Sequence, residues 1–195
     1  MANNTDIIGE YRGTVKNRVL TALLQSYMDN LDYDGMKSIL KEAGLLELKD
    51  IREVDPEGEI DFFSFKKIIT AQNCLLYDST YLLSEIGKKF SFYLFPFGKV
   101  FEEIVEDINR LIDADWQVKI VENRAESIII RVDKCIFCSE IGISCELFKS
   151  FLIHSLEKSL PSDFSVVPHE TKENINNPNH NSFILKLRIE KRFIS

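Results

Sequence analysis

The sequence predicts one α+β domain spanning residues 1–195, a helical N-terminal half followed by a four-stranded antiparallel sheet with one long helix between hairpins. Three observations predict it. Apolar residues recur at helical spacing as far as Ile112, the period changes from 3.6 to 2 at Asp115, and no repeat or low-complexity linker divides the chain. With 195 residues, 45% of them hydrophobic, the chain can bury one sizeable core.

The first helix is expected over Arg18 to Asn30, where Val19, Leu20, Leu23, Leu24, Tyr27 and Met28 share one face. A second begins near Asp34, with Met36, Ile39, Leu40 and Ala43 on a stripe and Gly44 where a left-handed cap belongs, and a short turn pairs the two. Lys49 to Glu59 is charged and contains Asp55-Pro56-Glu57-Gly58, which predicts an exposed loop. From Ser64, the positions of Phe65, Ile68, Ile69, Leu75 and Leu76 give a third helix. Tyr81, Leu82, Ile86, Gly87 and Phe90 continue into a fourth that Pro96 ends. The fifth helix is the best formed, because Val100, Phe101, Ile104, Val105, Ile108, Leu111 and Ile112 line one face and Glu102, Glu103, Glu106 and Asp107 solvate the other.

Trp116, Val118 and Ile120 then alternate with polar neighbours, Asn123-Arg124 reads as a turn, and the β-branched run Ile128 to Val132 completes a hairpin. A long helix follows from Ser144 to Lys158 on the stripe Leu147, Phe148, Phe151, Leu152 and Leu156, closed by Pro161. Phe164 to Val167 is a short strand and His169 to Asn181 a polar loop. In the last strand Phe183, Leu185, Leu187 and Ile189 alternate with charged residues, as on a half-exposed antiparallel strand.

Charge narrows the function. Against 24 Lys and Arg stand 31 Asp and Glu, a net charge of -7, which is the wrong sign for a protein that gains affinity by neutralising phosphates. The basic clusters Gly87-Lys88-Lys89 and Lys186, Arg188, Lys191 and Arg192 read as solvated faces. The N-terminus is polar, there is no terminal lipidation box, and no apolar run approaches the roughly 18 residues of a spanning helix. A cytoplasmic location is expected. In that compartment the cysteines weigh towards metal or buried thiol rather than a structural disulfide.

Three of the four cysteines, Cys135, Cys138 and Cys145, fall where the hairpin ends and the long helix begins. A C-x2-C pair plus a third thiol makes an incomplete zinc signature, since a closed structural site takes four donors. His169, Glu170 and His180, in the loop before the last strand, are candidate fourth donors. The alternative is that Cys135 and Cys145 are small buried apolar residues. Catalysis finds no support in a nucleophile elbow, a phosphate-binding loop or a dinucleotide glycine motif, so the chain reads as a non-enzyme. Phe62, Phe63, Phe65, Phe90, Phe92, Tyr93, Phe95, Phe97 and Phe101 crowd the middle of the chain, and such rings line an apolar pocket, fill a core or form a dimer interface.

The strand Ser127 to Val132, the Cys135-Ile136-Phe137-Cys138 step, Ser144 to Leu152 opening the long helix and the closing strand Ser182 to Ile189 together resemble the 4-vinyl-reductase-type domain and its relatives, the small subunits of TRAPP vesicle-tethering complexes. Leu75-Leu76-Tyr77 and Glu85-Ile86-Gly87-Lys88-Lys89 look like that family's helix with a small-residue close-packing step. The resemblance implies a homodimer, or a heterodimer with a related subunit, formed through the helical part. It also implies a pocket for a small hydrophobic molecule, lipid or acyl chain between helices and sheet. Phe65, Ile69, Phe90, Phe101, Val105 and Phe148 are its candidate lining. An assembly or adaptor subunit acting through protein contacts is the alternative. Many members hold zinc through a cysteine before the long helix plus a glutamate and two cysteines in the last loop. Cys145 and Glu170 match the first two, and Glu173 with His180 or Asn181 stands near the positions of the absent cysteines, which Cys135 and Cys138 could replace.

Overall fold

A strand of three residues, β1 (Thr14–Lys16), runs directly into the longest helical span, α1 (Asn17–Glu42). The computed structural model describes residues 12–53, 55–95, 99–138, 145–173 and 182–192. Val19, Leu20, Leu23, Leu24 and Tyr27 are buried on one face of α1, as their spacing predicts. The turn expected between two helices contracts to one residue, Asp32, whose φ of 63° breaks the span. Its carboxylate accepts from the backbone N–H groups of Asp34 at 2.9 Å and Gly35 at 3.0 Å, so the break doubles as an N-cap for the second half. Gly44 has the left-handed φ of 71° expected of the cap. Its N–H reaches the Lys41 carbonyl while Leu45 reaches back to Leu40.

A 3-10 helix (Leu46–Glu53) and the strand β2 (Glu59–Asp61) occupy much of the segment expected as loop. β2 and β3 (Ile112–Asp113) flank β1 in a small antiparallel sheet, with Val15 opposite both Ile60 and Ile112. Asp61 caps α2 (Phe62–Leu75) by accepting from the Ser64 N–H at 2.8 Å. α3 (Thr80–Leu94) stops before an extended Phe95, the conformation that the following proline imposes. α4 (Phe101–Leu111) buries Phe101, Ile104, Val105, Ile108 and Leu111, the stripe read from the sequence.

The larger sheet has the order β4-β5-β7-β6, all antiparallel, from β4 (Gln117–Arg124), β5 (Ser127–Asp133), β6 (Phe164–Glu173) and β7 (Phe183–Lys191). The β4–β5 turn falls at Ala125-Glu126 rather than Asn123-Arg124. A bulge between Ile120 and Glu122 inserts Val121 without a partner and carries Asn123 and Arg124 into the ladder opposite Ile128 and Ser127. β6 is longer than the short strand expected, and a second bulge between Pro168 and Glu170 leaves His169 outside the register.

Val118, Ile128, Ile130, Val132, Val166, Phe183, Leu185 and Leu187 form the buried face of this sheet, and the helices cover it as one continuous core. α5 (Glu146–Ser159) lies between that face and α3. α3 and α5 approach very closely at Gly87, where a Cβ would stand 2.0 Å from the Leu147 carbonyl oxygen. Polar pairs Ser84–Ser150 and Ser91–Ser155 line the same seam.

Candidate functional site

The centre of the molecule is aromatic. Phe137 stacks on Phe148 with centroids 4.9 Å apart and planes 10° from parallel, and Phe148 stacks on Phe151 at 5.3 Å. Phe65 and Trp116 meet the Phe137 ring edge-on at 6.0 Å, and Phe90 bridges Phe137 and Phe151. Trp116 is held in place by its indole N–H, which donates to the Ile112 carbonyl at 3.0 Å.

The residues expected to line a pocket are therefore packed against one another or their neighbours. Phe65, Ile69, Phe90 and Phe148 are fully buried, and Phe101 and Val105 nearly so. Two hollows among the described residues open at the surface and include none of these six. One of about 560 Å³ lies over Ser127, His169, Lys186 and Arg188, and one of about 290 Å³ lies between the end of α1 and the outer side of α2. Phe137 and Trp116 escaped the sequence reading. Phe137 counted only as a spacer between two cysteines and Trp116 only as the start of a strand pattern.

Phe137 belongs to a loop that also presents the thiols. Lys66 of α2 donates to the Ile136 carbonyl at 3.1 Å and Asn73 to the Phe137 carbonyl at 3.3 Å, which ties residues 136 and 137 to α2. Cys135, Cys138 and Cys145 are buried, and their sulfurs all lie within 4.8 Å of one another. The Cys135 and Cys145 sulfurs are 3.5 Å apart. Burial pushes the Cys135 thiol up. Hydrogen bonds from Cys138, Cys145 and the backbone N–H groups of Phe137 and Cys138 outweigh that effect and hold it well below the ordinary thiol range. Charge on Cys135 has the opposite effect on its neighbours. The hydrogen bonds with Cys135 and Cys145 and then burial keep Cys138 protonated, while burial and then Cys135 do the same for Cys145. The three thiols titrate as a linked set, in which charge on one sulfur opposes charge on the other two.

The other sulfur and nitrogen donors stand elsewhere. Cys74 is exposed on α2. His154 lies on α5 with its Nδ1 2.9 Å from Glu157, and burial holds its pKa below the ordinary imidazole value against the pull of that carboxylate. His169 is exposed at the β6 bulge. The Glu170 side chain and the whole of Glu173's side chain, His180 and Asn181 lie outside the described residues. Of the expected donors, the structure thus brings together the three cysteines and leaves His169 apart from them.

No model of a known protein family matches this sequence, and no curated protein sequence matches it. Solved structures do. An oxygen-binding H-NOX domain related to soluble guanylate cyclases, in its oxygen complex, superposes with a TM-score of 0.58 at 16% identity, over 92% of this chain and 96% of that one. A variant of the T. tengcongensis H-NOX gives 0.55 at 16% identity, over 92% and 98%. The H-NOX protein of K. algicida, as a variant in its Fe(II) unliganded form, gives 0.56 at 13% identity, over 91% and 97%. The chain has the fold of these domains.

That fold corrects the family resemblance. The α+β class stands, but the matched architecture is the H-NOX one, not the 4-vinyl-reductase or TRAPP-like one, and the hydrocarbon-binding, adaptor and vesicle-tethering readings go with it. The short motifs behind the resemblance mark a strand, a thiol loop and a helix, which several α+β architectures can contain. Zinc is corrected too: a further matched structure, with a TM-score of 0.59 at 16% identity, is described by the redox potential of its haem, and among the described residues the thiol cluster stops at three donors. Haem in its histidine-held form, however, does not fit this interior. Neither described histidine enters the core, and the space between helices and sheet is occupied by Phe65, Phe90, Trp116, Phe137, Phe148 and Phe151.

Proposed function

We propose that this chain is a non-catalytic sensory domain with the H-NOX fold that responds to a small molecule without a histidine-held haem. The observation that carries the reading is likeness over nearly the full length of both chains to a domain described as oxygen-binding and related to soluble guanylate cyclases. The departure from haem is supported by the packed aromatic centre and by the positions of half-buried His154 and exposed His169 outside it. Catalysis is left out because the thiols converge without either described histidine beside them to serve as a base.

A cytoplasmic location belongs to the same proposal, because three clustered free thiols persist in reducing surroundings. No helix among the described residues is long and apolar enough to cross a membrane. The expected homodimer remains a proposal as well, supported by the exposed Phe63, Leu75, Tyr77, Tyr81 and Phe92 on α2, α3 and the turn between them.

The experiment is amide hydrogen exchange of the reduced full chain before and after exposure to carbon monoxide, nitric oxide or hydrogen peroxide. Carbon monoxide binds ferrous haem and leaves thiols alone. The reading expects no change with carbon monoxide and a change in protection around residues 135–148 with at least one of the other two. Indifference to all three, or a response to carbon monoxide, would overturn it.

A further inference from the structure

The thiol cluster carries chemistry that neither the fold nor the family resemblance assigns. Free cysteines in a core are ordinarily inert and isolated, yet here three sulfurs meet at one point, between the end of β5 and the first turn of α5. Cys135 enters after Lys134, a residue with a left-handed φ of 51°, and that turn directs the chain back over the core. Cys145 is the N-cap residue of a 14-residue helix, and its carbonyl accepts from the Lys149 N–H at 3.0 Å. The 3.5 Å separation of the two sulfurs is close to van der Waals contact, so the bond between them needs only a small approach.

We propose that Cys135 and Cys145 form a reversible thiol–disulfide couple, oxidised by a hydroperoxide, with Cys138 as the third thiol that holds Cys135 in its reactive position. That this couple is the signal-responsive element rests on the sensory reading above, whereas the chemistry itself does not.

The Cys135 thiolate attacks the terminal oxygen of ROOH, the O–O bond breaks, and RO⁻ leaves to take up a proton as ROH. Cys135 is now a sulfenic acid. The Cys145 sulfur attacks the Cys135 sulfur, its proton leaves with the hydroxyl as water, and the S–S bond forms. In sum two thiols and one hydroperoxide give one disulfide, one alcohol (water, when R is hydrogen) and one water, with both electrons supplied by the thiols. A dithiol reverses it by exchange.

The surroundings favour this pair over the other combinations. The Cys135 and Cys145 sulfurs are in contact at 3.5 Å with the Cys138 sulfur within 4.8 Å of both, so two neighbouring thiols can donate to a Cys135 thiolate and favour it as the first nucleophile. Cys138 reaches that sulfur through a tight loop held to α2 by Lys66 and Asn73, and bridging it to Cys135 would require that loop to deform. Bridging Cys145 joins the end of a strand to the start of a helix. The new bond would act on the first turn of α5, where the Leu147 carbonyl faces Gly87 of α3. Exposures of 2%, 4% and 5% for Cys135, Cys138 and Cys145 predict selection by size, with peroxide admitted far ahead of bulky thiol reagents. Exposed Cys74 provides the internal comparison.

The test treats reduced, desalted full chain with a slight excess of hydrogen peroxide, then blocks remaining thiols under denaturing conditions and maps the peptides. The proposal expects loss of two of the four thiols, a Cys135–Cys145 cross-link, full reversal by dithiothreitol and persistence in Cys74→Ser. Cys138→Ser should still cross-link, at least several-fold more slowly, and Cys145→Ala should stop at the Cys135 sulfenic acid, trapped by dimedone. Mapping of the wild-type chain decides the question even if a variant fails to fold. Four thiols surviving in the folded chain, a Cys135–Cys138 bridge, or oxidation confined to Cys74 would each overturn the proposal.

Discussion

Gly87 of α3 lies against the backbone of Leu147 in α5, so close that an added Cβ would stand 2.0 Å from the Leu147 carbonyl oxygen and 3.0 Å from the Ser150 Cβ. The contact is backbone to backbone, and neither side can yield by changing a rotamer. It lets two helices with serines on their facing sides, Ser84 with Ser150 and Ser91 with Ser155, settle into one seam.

Gly87→Ala should therefore destabilise the fold. Alanine favours a helix over glycine by ~1 kcal/mol, but overpacking costs ~1–3 kcal/mol and more where backbone must shift. The expected net effect is a loss of about 2 kcal/mol or more in urea unfolding. A variant as stable as the wild type would show that α3 and α5 are not in this contact.

The stacked rings make a second prediction. Phe148 lies between Phe137 and Phe151 and is fully buried, so Phe148→Ala should cost ~3–5 kcal/mol and leave an apolar void. Such voids stay dry and accept benzene. Benzene should raise the melting temperature of the variant and leave that of the wild type unchanged. Stabilisation of the wild type would reveal a cavity that the packed centre does not have.

Lys158 gives a pH dependence. Its ammonium donates to the carbonyls of Ser91 and Phe95 at the end of α3, yet burial lowers its pKa to about 8 from an ordinary 10.5. The folded chain releases this proton before the unfolded chain does, so between about 8 and 10.5 the unfolded state binds more protons and this group's contribution to stability rises with pH. Lys158→Met removes that contribution. The gap in unfolding free energy between wild type and variant should move in favour of the wild type from pH 7.5 to about 9.5, against a control of equal charge change at an exposed lysine. A gap independent of pH would place the Lys158 ammonium in water.

Much of this architecture was legible in the sequence because burial imposes period. The apolar stripe of α4 and the alternation of β7 are each dictated by one face meeting the core, and Gly44 by the left-handed φ of the helix cap. Other features have no periodic signal. β1, β2 and β3 span three residues or fewer, too short to alternate, and they exist because distant segments pair. The bulge at Val121 has no periodic signal either, and it moves the hairpin turn by two positions. The thiols were legible as a cluster because they are close in sequence. Their setting was not, since the contribution of Phe137 depends on Phe65, Trp116 and Phe148 arriving from three other elements. The fold's relatives were the least legible part, because at 13–16% identity the shared feature is the arrangement in space, which short motifs do not encode.

The most direct test of the proposed sensory role without histidine-held haem is a hemin titration of the reduced full chain, read by absorbance and followed by carbon monoxide. A core already filled by its own rings predicts weak, non-saturating binding with no defined Soret maximum and no shift on adding the gas. A saturating band at one haem per chain that shifts with carbon monoxide would contradict it.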